Sequence, residues 1–290
     1  MTETVVSGTA MTALYLQLVV TITFPVMALI LIKVKTKASI MPFFVGGTIY
    51  VLFSLVILGL VHIATIMMGV SSYIDNSTVV YCTFHGIMTG LVEETGCFLA
   101  FKLILQNLDE KQAPIMYAIG FSGFETLTFI TVPALSSATF ATTFMDYGLD
   151  GMLAQISTEV QNGQNVMTAE DILGRIEIIN SITLGQAGLV FAERLMFFII
   201  HMALTVIIAY GVRKKYTSYL WIGVILCAIS TVPSSLMSLK VLSNDIWGLV
   251  PLAAVAVLVS IPAVKLFKTD KDYENFFSLY TSRKGSVLMK

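Results

Sequence analysis

Charge is what this sequence has least of. Only 12% of its 290 residues are Asp, Glu, Lys or Arg, with a formal net charge of −1, where a soluble domain carries about 25% charged residues. That scarcity excludes an ordinary water-facing surface, and the near-neutral balance argues against nucleic acid as a partner. Cysteine is sparse as well. Cys82, Cys97 and Cys227 stand far apart with no CxxC pair, so no disulfide framework is expected. The first ten residues lack a basic n-region, and the apolar stretch behind them is longer than the core of a signal peptide. It is therefore read as a retained span.

What the chain does have is apolar length. Hydrophobic residues make up 56% of it, mean hydropathy is +0.85, and several apolar runs reach the roughly 20 residues that cross a bilayer. The expected fold is an all-α polytopic transmembrane helical bundle of about seven spans, near 11–33, 41–70, 79–106, 113–135, 187–212, 217–239 and 246–267. Residues 1–267 read as one bundle domain and 268–290 as a tail. Membrane lipids are its first partners. Basic residues set the orientation. Lys33, Lys35, Lys37, Lys102, Lys111, Arg213, Lys214, Lys215, Lys265, Lys268, Lys271, Arg283, Lys284 and Lys290 fall on one side, 14 of the 17 present. The segment near 136–186 on the other side carries Asp146, Asp150, Glu159, Glu170, Asp171 and Glu177 against Arg175. The N-terminus is thus expected outside and the C-terminus in the cytoplasm. Within that outer segment, "TAEDILGRIEII" places Thr168 as an N-cap with Asp171 three residues on, ahead of apolar residues at helical spacing. A short amphipathic helix and a plain connecting loop both remain open there.

Against this background the stretch "TGLVEETGCFLAFK" at 89–102 stands out, because Glu93 and Glu94 lie inside an apolar span. A charged group at the centre of a span costs roughly 2.5–3.5 kcal/mol on insertion scales, so such residues face the bundle interior and serve a purpose there. The others are His62, His85, Glu125, Glu193, Arg194 and His201. At a rise of about 1.5 Å per residue, Glu94 lies roughly 22 Å from Asp109, Glu125 about 21 Å from Lys111 and His201 about 18 Å from Arg213. Three helices therefore bring Glu94, Glu125 and His201 to nearly one depth, while His62 and His85 sit nearer the outer ends. Each member taken alone could be a structural interhelical bond; three at one level point to shared function. Glu193 and Arg194 can neutralise each other or pair with Glu93. Arg194, seven residues before His201, shares its face and is placed to orient a carboxylate or a substrate carbonyl. Gly90, Gly96, Gly120 and Gly123 flank the acids and are expected to let spans three and four approach closely.

Two carboxylates and an imidazole can hold and activate a water, with Glu as general base and His orienting the water or holding an oxyanion. The same set, Glu94, Glu125 and His201, could ligate a divalent metal such as zinc, although HExxH is absent. "GFSG" at 120–123 matches a GxSG nucleophile pattern only superficially. Other classes stay open. A proton-coupled transporter or channel would use the trio as a relay and would show broken helices, for which Pro233 and Pro251 are the nearest hints. A non-catalytic membrane partner, such as an immunity or sensor protein, would carry a decayed site.

On these residues the chain resembles the YhfC family of intramembrane metalloproteases, related to the PrsW and CAAX-prenyl-protease (Abi) group of glutamate-dependent intramembrane proteases. The resemblance rests on "EETG" at Glu93 and Glu94, on "GFSGFE" from Phe121 to Glu125, and on "AERLMFFIIH", which ends at His201. It implies a multi-helix bundle in a bacterial cell membrane that hydrolyses a peptide bond of a membrane-embedded or lipidated substrate. Glu94 or Glu93 would activate the water, and Glu125 and His201 would complete the site. The chain departs from the family pattern at Cys97, where an Arg is usual, and at Phe121 or Ser122, where a His is usual.

Overall fold

Inside a bilayer the backbone can satisfy its own polar groups only as helices or as a closed barrel, and this chain takes the first solution. The computed structural model describes residues 5–108, 110–160, 167–243 and 245–269. Asp109, the first four residues and most of the predicted tail lie outside them. In chain order the elements are α1 (Gly8–Thr36), α2 (Met41–Ile49), a π-helical stretch π1 (Tyr50–Ile57), α3 (Leu58–Met67) and the short α4 (Ser71–Asp75). Then come α5 (Thr78–Leu99), π2 (Ala100–Ile104), α6 (Ala113–Thr126), π3 (Leu127–Thr131), α7 (Val132–Val160), α8 (Ala169–Asn180), α9 (Leu184–Arg213), α10 (Ser218–Ser238) and α11 (Ile246–Thr269). No strand occurs among the described residues.

Among the described residues, six helical stretches are long and apolar enough to span a membrane: Gly8–Thr36, Met41–Met67, Ala113–Ala154, Leu184–Arg213, Ser218–Ser238 and Ile246–Thr269. The chain is a multi-pass integral membrane protein. The expected third span is present as α5 running into π2, but its Glu pair, His85 and threonines keep it less apolar than the rest. Side chains such as Leu60, Val257 and Leu258 stay largely exposed, which in water would favour aggregation and in lipid is the ordinary outer face of a span.

The expected end near residue 135 was too early. The helix continues as α7 to Val160, with a non-helical break at Gly148 (φ 65°, ψ −175°), a backbone region open to glycine. The stretch "SSATFATTF" reads as polar, yet Ala134, Ala138 and Ala141 are buried on one face. The hydroxyls of Thr142 and Thr143 donate back to Ala138 O (2.7 Å) and Thr139 O (2.9 Å), which satisfies them within the helix.

The contacts divide the chain into two compact units, residues 1–24 with 126–192 and residues 25–125 with 193–290. The first is built around α7 and α8. Thr168 caps α8 and closes a capping box with Asp171, whose carboxyl is held below its usual range by the hydrogen bonds it accepts from Thr168. The amphipathic helix expected here is therefore real, and the plain loop is not. Its Ile172, Ile176 and Ile179 are buried together with Leu14, Ala141 and Phe144. Asn180 ties the helix to the chain start, accepting from Ser7 N (2.7 Å) and donating to Val5 O (3.0 Å).

The second unit holds the intramembrane acids. Its tightest pairing is α5 on α10, where a Cβ on Gly90 would sit 2.5 Å from Val224 O and one on Gly86 2.8 Å from Ala228 O. Gly120 abuts the Phe43 carbonyl and Gly46 the Tyr117 carbonyl, so α2 and α6 cross backbone to backbone. The glycines thus seat α5 and α6 on other helices rather than on each other. Side chains meet α6 from π2, which continues α5, with the Phe101 and Tyr117 rings 5.2 Å apart. Pro233 and Pro251 sit inside unbroken α10 and α11, so neither proline supplies the interrupted helix a transporter reading would favour.

Candidate active site

Adjacent residues on a helix point about 100° apart, and α5 uses that divergence to send its two acids to different neighbours. Glu94 is 3% exposed. It lies against α10, where a Cβ on Gly223 would come 3.5 Å from its Oε2 and where the Cys227 thiol is within hydrogen-bonding reach. Glu93 turns toward π1 and accepts a hydrogen bond from Ser54 Oγ at 2.9 Å. Neither carboxylate has a cation in contact among the described residues.

Glu125, near the end of α6, is held from α9 on both oxygens. Arg194 Nη1 donates to Oε1 at 3.2 Å and His201 Nε2 approaches Oε2 at 3.2 Å. The other arm of the guanidinium, Nη2, donates to Glu193 Oε1 at 3.0 Å. The Arg194 plane also lies 4.8 Å over the Phe197 ring. A planar fork shared between two carboxylates fixes both far better than a point charge would. The seven-residue spacing of Arg194 and His201 puts both on the face that meets Glu125, in the orienting place expected for Arg194. His201 is 8% exposed and interacts electrostatically with Glu93 and Glu94 as well as with Glu125. Glu94, Glu125 and His201, the three groups expected at one depth, thus lie in one cluster, with Glu93 beside them. His62 and His85 form a separate pair, with rings 5.0 Å apart.

One participant, Ser54, was not singled out from the sequence. Ser54 is a lone hydroxyl in "VLFSLVI", and that polarity was its signal. Phe121 packs its ring 4.9 Å from the His201 ring and 5.4 Å edge-on from that of Tyr50, so the position where a family His was expected is an aromatic wall. Cys97, where an Arg was expected, is buried in the apolar core with Tyr50, Tyr117 and Phe121. Three π-helical stretches contain or follow these residues in the chain: π1 contains Ser54, π2 begins six residues after Glu94, and π3 begins two residues after Glu125. Such wide turns are concentrated at functional positions.

The donor set is a poor match for a metal. Among the described residues no three His, Cys, Asp or Glu side chains are disposed to hold an ion. Glu125 has a guanidinium on one oxygen and the imidazole on the other, and a cation in contact would compete with Arg194 for the same lone pairs. As placed, Glu94, Glu125 and His201 do not fit a three-ligand zinc site. What they do fit is a hydrogen-bonding array: an oriented imidazole with Nδ1 as its second nitrogen, beside two carboxylates not neutralised by contact.

Comparison with known proteins places this chain in a family. A family model described as YhfC intramembrane metalloprotease matches residues 20–250. An uncharacterized membrane protein of Bacillus subtilis (strain 168), YhfC, is 21% identical over 265 residues, covering 89% of this chain and 94% of that protein. No solved structure matches.

Proposed function

The chain belongs to the YhfC intramembrane metalloprotease family, and from that premise we propose that it hydrolyses a peptide bond of a membrane-embedded or lipidated substrate at membrane depth. The observation that supports this best is the Arg194–Glu125–His201 chain of contacts beside two carboxylates that lack a cation in contact. Glu125 is held by Arg194 and His201, whereas Glu93 and Glu94 have no contacting cation among the described residues, which leaves them for a reactant.

The roles follow from the contacts. Glu94 serves as general base and removes a proton from a water, with Glu93, held by Ser54, as its partner. The resulting hydroxide attacks the scissile carbonyl carbon. His201, fixed by Glu125, offers a hydrogen bond to the oxyanion that forms. The proton held by the Glu pair then passes to the amide nitrogen as the C–N bond breaks, giving a carboxylic acid and an amine. Arg194 and Glu193 position Glu125 and do not touch the reacting atoms.

The test is cleavage of a panel of single-span membrane peptides by purified protein in liposomes. Wild type cleaves, and Glu94→Gln lowers the rate by about a hundredfold or more, the usual range for losing a general base. Equal cleavage by wild type and Glu94→Gln would end the assignment. The aromatic wall at Phe121 and the thiol at Cys97 favour a second reading, a non-catalytic member that binds membrane partners. No cleavage of any peptide, with partner binding that survives Glu94→Gln, would select it.

A further inference from the structure

A cavity of about 750 Å³ opens at the basic end of the second unit, between π2 with the residues that follow it and the turn joining α9 to α10. That volume falls within the range of roughly 300–1,000 Å³ typical of small-molecule sites. Its lining is electrically one-sided: Lys102, Arg213 and Lys215 contribute cations, and no carboxylate lines it among the described residues. Gln106, Tyr216 and Thr217 add neutral hydrogen-bonding groups. The floor is apolar and sealed, with Phe101 and Ala209 buried. The Lys102 ammonium lies 5.2 Å over the Phe98 ring, which holds it at the wall. Lys215 sits in the left-handed backbone region (φ 60°) just past the end of α9, so its direction is set by the turn.

We propose that this cavity binds the phosphate-bearing headgroup of an anionic membrane lipid. Phosphate is the group a one-signed set of Lys and Arg with hydroxyl and amide donors recognises. Basic pockets between helices on the side that faces the cytoplasm are where anionic headgroups settle, and the lysine and arginine distribution assigns this end to that side. The choice of a lipid over a free phosphate rests on Leu103. It lines the cavity and is 60% exposed, so the opening gives onto the apolar outer face of the span, where an acyl chain can lie. Phe101 is seven residues, or about 10 Å, beyond Glu94 along the helix. The lipid is therefore a neighbour of the acids and not the group they would hydrolyse.

The test is native mass spectrometry of the full-length protein released from micelles holding equal amounts of phosphatidylglycerol and phosphatidylcholine. Two surface lysines at about fivefold each imply that wild type retains phosphatidylglycerol by about twenty-five-fold over phosphatidylcholine. Lys102→Gln/Lys215→Gln loses that preference, and Lys215→Gln alone loses part of it. Lys35→Gln/Lys268→Gln, at the same end but outside the cavity, keeps it. Equal retention of the two lipids by wild type, which requires no variant to fold, would overturn the proposal. So would a preference unchanged by Lys102→Gln/Lys215→Gln. Displacement of phosphatidylglycerol by millimolar inorganic phosphate would reassign the cavity to free phosphate.

Discussion

At the residue scale the decisive contrast is between the acids with a partner and the acids without one. Glu125 has both oxygens engaged by α9, and its work is to hold His201. Glu125→Gln keeps the size of the side chain but cannot accept on both sides as a carboxylate does. The variant is expected to insert normally and to cleave about a hundredfold more slowly, measured in liposomes with the membrane-inserted fraction determined in parallel. Arg194→Lys should fall in the same direction, because one ammonium cannot reproduce a fork bridging Glu125 and Glu193. The same contacts predict the response to metal removal. With Arg194 on Glu125 Oε1, dialysis against a chelator leaves cleavage unchanged. A loss restored by zinc would mean that Arg194 releases Glu125 to an ion. Much of this level was legible in the sequence, because an ionisable residue in an apolar run is conspicuous and its depth follows from helical rise. The direction each side chain takes was not. Whether Arg194 meets Glu93 or Glu125 depends on how α9 is rotated, which the spacing within α9 leaves open.

At the scale of elements, glycines and caps decide what packs where. A Cβ on Gly90 would press on the Val224 carbonyl at 2.5 Å, one turn from Glu94. Gly90→Ala is expected to destabilise the protein by about 2 kcal/mol, as overpacking does, and to reduce cleavage with it. Gly59→Ala, which has open space around it and lies in helix α3, is expected not to lower a thermal melt and to leave cleavage unchanged. In the first unit, Thr168→Ala removes the cap of α8 and should lower its local stability by about 1 kcal/mol, read by hydrogen exchange of its amides. Asp171 has its carboxyl lowered by Thr168, so its support is present above its ordinary titration range and is lost as pH falls through the lowered value. The gap between wild type and Thr168→Ala should accordingly narrow in acid. The cap was readable from "TAED" because capping is a local rule. The continuation of α7 was not, since Ala, Ser and Thr carry little hydropathy signal, and their helical face becomes visible only when Ala134, Ala138 and Ala141 are seen buried. The partners of the glycines were likewise hidden: close approach is encoded at Gly90 and Gly120, but the helix that does the approaching is not.

At the scale of the whole molecule, composition alone sufficed to assign a helical membrane protein, because the cost of unsatisfied backbone in lipid leaves a bundle as the natural outcome for apolar runs of this length. Span counting was weaker, for the helix that carries the acids is the one whose polarity departs from an ordinary span. The pockets were not legible at all. The basic cavity exists because π2 widens the end of one span beside the turn that ends another, and no local pattern announces that meeting.

The central claim is that Glu94, Glu125 and His201 act as one hydrolytic site on membrane-embedded chains. Its most direct test maps protein termini across the membrane proteome of cells lacking the gene, complemented with wild type, Glu94→Gln, Glu125→Gln, His201→Ala or the exposed-residue control Glu177→Gln. The account predicts new termini within or beside transmembrane segments with wild type and Glu177→Gln, all absent with each of the other three. Termini that persist in those three variants, or that never appear with wild type, would contradict it.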